Sequence, residues 1–227
     1  MADDAPTFRT FVTAFTDFLT VAIHTILYER GIYPQTSFLS ARKYNFAVRQ
    51  NRHPKVCEWI NDAINSVDTE LLKGSVDRIA VVIYSKQNKP LERFVFEVSR
   101  FPAVAASDVD VILEAADGSL LPIVDLEEQL RATMSKLSNC SSTLAPLPKG
   151  CTFTIAIELK GEGNAPLSHP QPWMPVQPGQ RGPGPRQAHL TTPVRAVHAG
   201  EMIFETWIEE FGGKQTEQKD SATGTAG

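Results

Sequence analysis

Apolar residues recur at three- and four-residue steps near the start of the chain. Phe8, Phe11, Val12, Phe15, Phe18, Leu19, Ala22, Ile23, Ile26 and Leu27 form one wide stripe. That spacing predicts a helix of about six turns, stopped by Gly31 and Pro34. So many phenylalanines on one stripe predict a central helix clasped by a sheet. A second helical pattern opens at His53-Pro54, carries Val56, Trp59, Ile60, Ala63, Ile64 and Val67, and ends near Lys73-Gly74. A third covers Val124 to Ser141, with Leu126, Leu130, Met134 and Leu137 inward and Glu127, Glu128, Arg131 and Lys136 outward.

Between the helices the period changes to two. Arg78–Ser85 is nearly continuous in β-branched residues, as in a strand buried on both faces. Leu91–Val98 alternates, and the short Lys86–Pro90 link joins the two as a hairpin. Tyr44–Val48 reads as a short strand or hairpin, Thr152–Leu159 alternates cleanly, and Pro102–Leu121 reads as loop with a turn at Asp117-Gly118. The stretch 161–193 holds eight of the sixteen prolines and almost no aliphatic run, which predicts a loose or extended excursion. Order returns at Val194. Met202–Phe211 alternates as a strand, with Met202, Phe204, Thr206 and Ile208 on one face and Ile203, Glu205, Trp207 and Glu209 on the other. The expected fold class is α+β. Three helices pack on a mostly antiparallel sheet, and a last strand rejoins it from a distance. The expected domain spans 8–211, with a core at 8–160, a C-terminal region at 161–211 and a disordered tail at 212–227.

Composition then narrows the function. The 227 residues carry a net charge of -4, against the basic excess that phosphate binding needs. Arg42, Lys43, Arg49 and Arg52 form the one local basic cluster, and a solvated loop is its simpler reading. The longest purely apolar run, Ile79–Tyr84, is far shorter than a membrane span, so no membrane partner is expected. Asp3 and Asp4 stand where a signal peptide would be basic. Three widely spaced cysteines, Cys57, Cys140 and Cys151, read as free thiols.

No catalytic pattern emerges. There is no phosphate-binding glycine loop, and the histidines and cysteines lack the spacing of metal ligands. No catalytic residue, metal or cofactor is expected, and an enzyme using Cys151 or His24 is the outlying alternative. What stands out is aromatic. Trp59 lies on a helix, Trp173 in the Pro-rich excursion, and Trp207 on a strand face shared with Glu205 and Glu209. Trp173 is either a staple onto the parent domain or the wall of a peptide groove. Trp207 is either packed under the tail or an interface residue.

The segments AIHTILYERGIYP (22–34), KYNFAV (43–48), HPKVCEWINDAI (53–64), RFVFEV (93–98), EEQLRATMSKLSNC (127–140) and PKGCTFTIAIEL (148–159) resemble, in order, the HORMA domain. Within that family they are similar to the accessory subunits of DNA polymerase zeta. The resemblance implies a non-catalytic adaptor whose C-terminal region is a safety belt wrapped over an extended partner peptide. It implies a groove at Trp59, where Tyr is usual, with belt contacts from Pro172, Trp173 and Pro175, the last standing where an aliphatic residue is usual. It implies a second-partner face at Thr191, Glu205 and Trp207, the latter two replacing Gln and Tyr. Arg131 and Lys136 fall on the family's dimer face. The implied partners are a peptide of the polymerase-zeta catalytic subunit, the Rev-one translesion polymerase, and a second HORMA domain as homodimer or heterodimer. The implied location is the nucleus, with the cytoplasm also open. A spindle-checkpoint or meiotic chromosome-axis adaptor with another client peptide is the alternative.

Overall fold

The computed structural model describes residues 6–113, 123–161, 188–200 and 202–212. The first helical stripe forms α1 (Phe8–Glu29). Thr7 caps it, accepting from the Thr10 amide at 3.2 Å while its own N–H donates to the Thr10 hydroxyl at 3.3 Å. Arg30 closes the helix, and Gly31 follows at φ 63, a left-handed position natural to glycine. By length and apolarity α1 matches a membrane-spanning helix, yet 67% of that window is buried inside the protein. Its apolar surface is used up by the two later helices, the hairpin that follows it and the sheet.

A hairpin of β1 (Phe38–Lys43) and β2 (Phe46–Asn51) follows. Its two turn residues, Tyr44 and Asn45, both have φ 53, which matches the twist of a tight hairpin. The helix α2 (Pro54–Leu72) takes Pro54 at its first turn, where the missing N–H costs nothing. Then come β3 (Val76–Tyr84) and β4 (Pro90–Glu97), α3 (Ile123–Leu137), β5 (Thr152–Leu159), and a closing hairpin of β6 (Leu190–Ala199) and β7 (Met202–Glu210).

Five strands make one wholly antiparallel sheet, ordered β5-β3-β4-β7-β6. The helices cover one face. Phe15 and Phe18 of α1 meet Phe204 of β7 at 5.1 and 5.8 Å, and Phe96 and Phe101 complete an edge-to-face aromatic centre. The other face carries a small cluster of Ala80, Val82 and Val95, with Tyr84, Ala156 and Trp207 around it. Burial on both sides explains the unbroken apolar run of β3.

The C-terminal hairpin is thus seated in the main core. Val197, Ala199, Met202, Phe204 and Ile208 are buried there, and each large side chain among them is worth about 1.5–3 kcal/mol relative to exposure. The alternation read for 202–211 holds. The sequence pattern missed β6, which begins at Leu190 inside the Pro/Gly-rich stretch. A bulge between Pro193 and Arg195 interrupts its alternation, and Pro193 sits opposite Trp207 on the free side, where a missing N–H breaks no ladder bond. The α3 helix ends at Leu137, short of Ser141. There the Ser138 hydroxyl donates to the Met134 carbonyl at 2.8 Å and the Asn139 amide to that of Ser135 at 2.8 Å, and a 3-10 turn at Cys140–Ser142 takes over. Residues 162–187 and 213–227, which include most of the excursion and the tail, and the Asp117-Gly118 turn lie outside the described residues.

One buried ion pair ties three elements together. Arg30, after α1, donates from Nε to Glu92 Oε2 at 2.8 Å and from Nη2 to Oε1 at 2.6 Å, and Nη2 also donates to the Ala145 carbonyl at 2.7 Å. The two side chains are 4% and 0% exposed.

Candidate functional site

The two outer strands of the sheet differ. β6 packs against α3, whereas β5 has no strand partner on its outer side among the described residues. An unpaired edge is a template for an added strand. At the start of β5 lies a groove of about 440 Å³, with an apolar lining of Ile32, Tyr33, Val56, Trp59 and Phe153 and a polar rim that includes His53 and Lys55. The Trp59 ring meets Phe153 edge-on at 5.1 Å, and Tyr33 meets the same ring at 6.3 Å.

Helical periodicity sets Trp59 beside Ile60, but the two part company. Ile60 is wholly buried and Trp59 is 37% exposed over the groove. Tyr33 and Phe153 complete the aromatic wall, and sequence reasoning did not single them out. Their signal was an aromatic just past the α1 stop and another in the first turn of an alternating strand. It gains meaning only once β5 is known to be an edge.

The path of the chain matters as much as the groove. β5 ends at Leu159 beside Val76. β6 begins at Leu190 opposite Glu210, on a row that runs through Glu92 and Ile83 back to Phe153. So residues 160–189 leave one edge at one end and return to the far edge at the other end. A straight crossing of five strands is about 20 Å, and a chain of this length reaches roughly 100 Å when extended. Pro172, Trp173 and Pro175 belong to this connection and lie outside the described residues.

The residues expected to form a second interface share the helix-free face. Thr191 stands opposite Glu209, Trp207 opposite Pro193 and Glu205 opposite Ala196. Trp207 is half-buried rather than free. It packs on the Val95 cluster, its ring centroid lies 5.8 Å from the Arg78 guanidinium, and its indole N–H donates to Glu209 at 2.9 Å. Around it runs a charge ladder: Arg93 to Glu158 at 2.9 Å and to Glu209 at 3.0 Å, and Arg100 to Glu205. Arg131 and Lys136 are both exposed on α3, and among the described residues Arg131 pairs loosely with Glu128 at 3.6 Å.

The residues of the two outlying readings are occupied otherwise. Lys43 pairs with Asp17 at 2.8 Å, Arg42 bonds Asn45, Arg49 stacks over Tyr28 at 4.8 Å, and Arg52 donates to the Thr36 carbonyl at 2.7 Å. Each cation of the basic cluster therefore has a partner within the domain. His24 is buried, and desolvation pulls its pKa down to about 4. Cys140 is the buried thiol, pushed up to about 12 by burial. Cys57 and Cys151 are half-buried.

The HORMA domain family model matches residues 12–175. The chain belongs to the HORMA domain family. Over 201 residues it is 35% identical to the DNA polymerase zeta processivity subunit of Schizosaccharomyces pombe, covering 88% of this chain and 92% of that protein. It is 30% identical over 194 residues to the protein of the same name from Arabidopsis thaliana, covering 85% and 82%. It is 38% identical over 144 residues to the human mitotic spindle assembly checkpoint protein MAD2B, a match spanning 63% of each chain. A chain of the crystal structure of the mitotic checkpoint complex superposes with a TM-score of 0.68 at 19% identity, covering 88% of this chain and 98% of that one. C. elegans HTP-2 bound to the HIM-3 closure motif gives 0.64 at 11%, covering 91% and 92%. Both share the HORMA fold.

This HORMA domain is a non-catalytic protein, as its family and its polymerase-subunit relatives indicate. Its architecture carries two surfaces: the β5 edge, without a strand partner among the described residues and flanked by an aromatic groove, and a charged helix-free face around Trp207.

Proposed function

We propose that this protein is an adaptor that captures an extended peptide as an added strand on β5, with residues 160–189 passing over it as a safety belt. The supporting observation is the asymmetry of the sheet: the C-terminal hairpin occupies the β4 side, and the β5 edge next to Trp59, Tyr33 and Phe153 has no strand partner among the described residues. Main-chain bonds along β5 supply affinity for any extended segment, and the aromatic wall selects flat apolar side chains such as proline. A belt docked through buried Phe204 makes escape depend on hairpin undocking, which slows release. Pro172, Trp173 and Pro175 are the belt residues in this reading.

By relation to the polymerase zeta processivity subunits, the captured peptide comes from the polymerase-zeta catalytic subunit. The Thr191–Glu205–Trp207 face then takes the Rev-one scaffold, so that the adaptor bridges the two in translesion synthesis in the nucleus. Arg131 and Lys136 provide the contact to a second HORMA domain. The checkpoint name carried by the human relative favours a second reading, in which the client is a cell-cycle protein and the capture chemistry is the same.

The test is calorimetric titration with a Pro-containing peptide from the polymerase-zeta catalytic subunit. Sub-micromolar binding is expected, weakened about 30-fold or more in Trp59→Ala, the loss of a ~2 kcal/mol anchor. A folded wild-type protein that ignores this peptide and binds a checkpoint client supports the second reading. Equal affinity in wild type and Trp59→Ala removes Trp59 from the groove.

A further inference from the structure

We propose that Gln129 is a lock on the C-terminal hairpin. The role rests on the capture reading above, since the hairpin must undock before a peptide held under the belt can leave.

β6 is the last strand of the sheet and pairs on one side only, with β7. In an antiparallel ladder alternate residues turn both backbone groups away from their partner. Next to the closing pair Ala199–Met202, His198 is such a residue. Its outward groups lie at the surface, yet both are paired with one side chain. The His198 N–H donates to Gln129 Oε1 at 2.9 Å, and Gln129 Nε2 donates to the His198 carbonyl. A carboxamide carries the same donor and acceptor as a peptide group, so Gln129 behaves as a one-residue strand laid on the edge.

The amide comes from an element anchored elsewhere. Leu126, Leu130 and Met134 of α3 are buried in the main core, and the Thr133 hydroxyl donates to the Gln129 carbonyl at 2.9 Å. One side chain therefore joins the fixed body to the hairpin, at the end where β6 turns into β7. Phe204, Met202 and Ile208 supply most of the docking energy. The Gln129 bonds sit at the hairpin tip, where separation from α3 begins. They also cap the β6 edge at His198 against a foreign strand, and the Pro193–Arg195 bulge makes the edge irregular further along. β5 has no comparable cap among the described residues.

Gln129→Ala and Gln129→Glu in the full chain test the lock in two ways. Amide exchange without peptide reads hairpin opening, and a chase with unlabelled peptide reads release of a labelled Pro-containing peptide. In the wild type the His198 amide is expected to be protected. Gln129→Ala is expected to lose that protection across Val194–Ala199 and to release peptide about tenfold faster, with exchange in α1 unchanged. Gln129→Glu keeps the acceptor but sets a carboxylate against the His198 carbonyl, and is expected to release at least as fast. Unchanged exchange at His198 together with unchanged release overturns the lock. If the wild type binds no such peptide, the capture reading fails separately. The exchange arm then still decides the lock: lost protection in Gln129→Ala supports it, and equal protection overturns it.

Discussion

Replacing Arg30 by Met removes the cation from a pair that is 4% and 0% exposed. The guanidinium makes three hydrogen bonds, two to Glu92 at 2.8 and 2.6 Å and one to the Ala145 carbonyl at 2.7 Å. Taking the guanidinium from a buried carboxylate costs about 3–5 kcal/mol, because the charge stays in a low-dielectric setting and loses its two charge-assisted bonds. The lost donor at Ala145 adds roughly 1 kcal/mol. Glu92 also lies opposite Glu210 of β7, which is 8% exposed, so the change weakens the β4–β7 seam as well as the fold. A total of about 4–6 kcal/mol is a large share of the usual stability of a domain. Urea unfolding at pH 7 reads it directly. The decisive comparison is Arg30→Met with Glu92→Leu, which exchanges the ion pair for apolar volume. That double variant is expected within about 2 kcal/mol of wild type, and more stable than either single variant. A single variant costing under about 1 kcal/mol, or a double variant as costly as the sum of the singles, would refute the reasoning.

Three further outcomes follow from the same structure. His24 stays neutral in the folded protein to about pH 4, while in the unfolded chain it protonates near its ordinary 6.5. Stability is therefore expected to fall as pH drops from 6.5 toward 4, by up to about 3 kcal/mol, and His24→Leu should flatten that slope; parallel slopes would contradict the assignment. Trp207→Ala is expected to abolish second-partner binding and leave peptide capture intact in pull-down with both ligands, and loss of both would mean the hairpin had undocked. Arg131→Ala is expected to change stability by less than about 0.5 kcal/mol, since its ion pair with Glu128 is loose and exposed. Sedimentation should shift from dimer to monomer, and an unchanged profile would leave Arg131 an ordinary surface residue.

Much of the fold was legible because burial writes a period into the chain. The α1 stripe, the continuous run of β3 and the alternation of β5 and β7 each follow from which faces are covered. β6 was hidden because a bulge and a proline break its period. The Arg30–Glu92 pair was hidden for a different reason. Nothing local links a residue past the end of a helix to one in a strand 62 positions later. The groove was half legible. Trp59 was found by its residue type, but the period that sets it beside Ile60 does not tell a buried stripe from its rim. Tyr33 and Phe153 acquire a role only from tertiary placement. Gln129 was missed because its function lies in a backbone bond to a strand that the pattern did not show.

Addition of a peptide to β5 is read by residue-resolved amide exchange with and without bound peptide. New protection is expected along Thr152–Leu159 on binding, with Leu190–Ala199 unchanged because that strand lies at the opposite edge of the sheet. A peptide that binds and protects β6 instead, or leaves the β5 amides as they were, would contradict it.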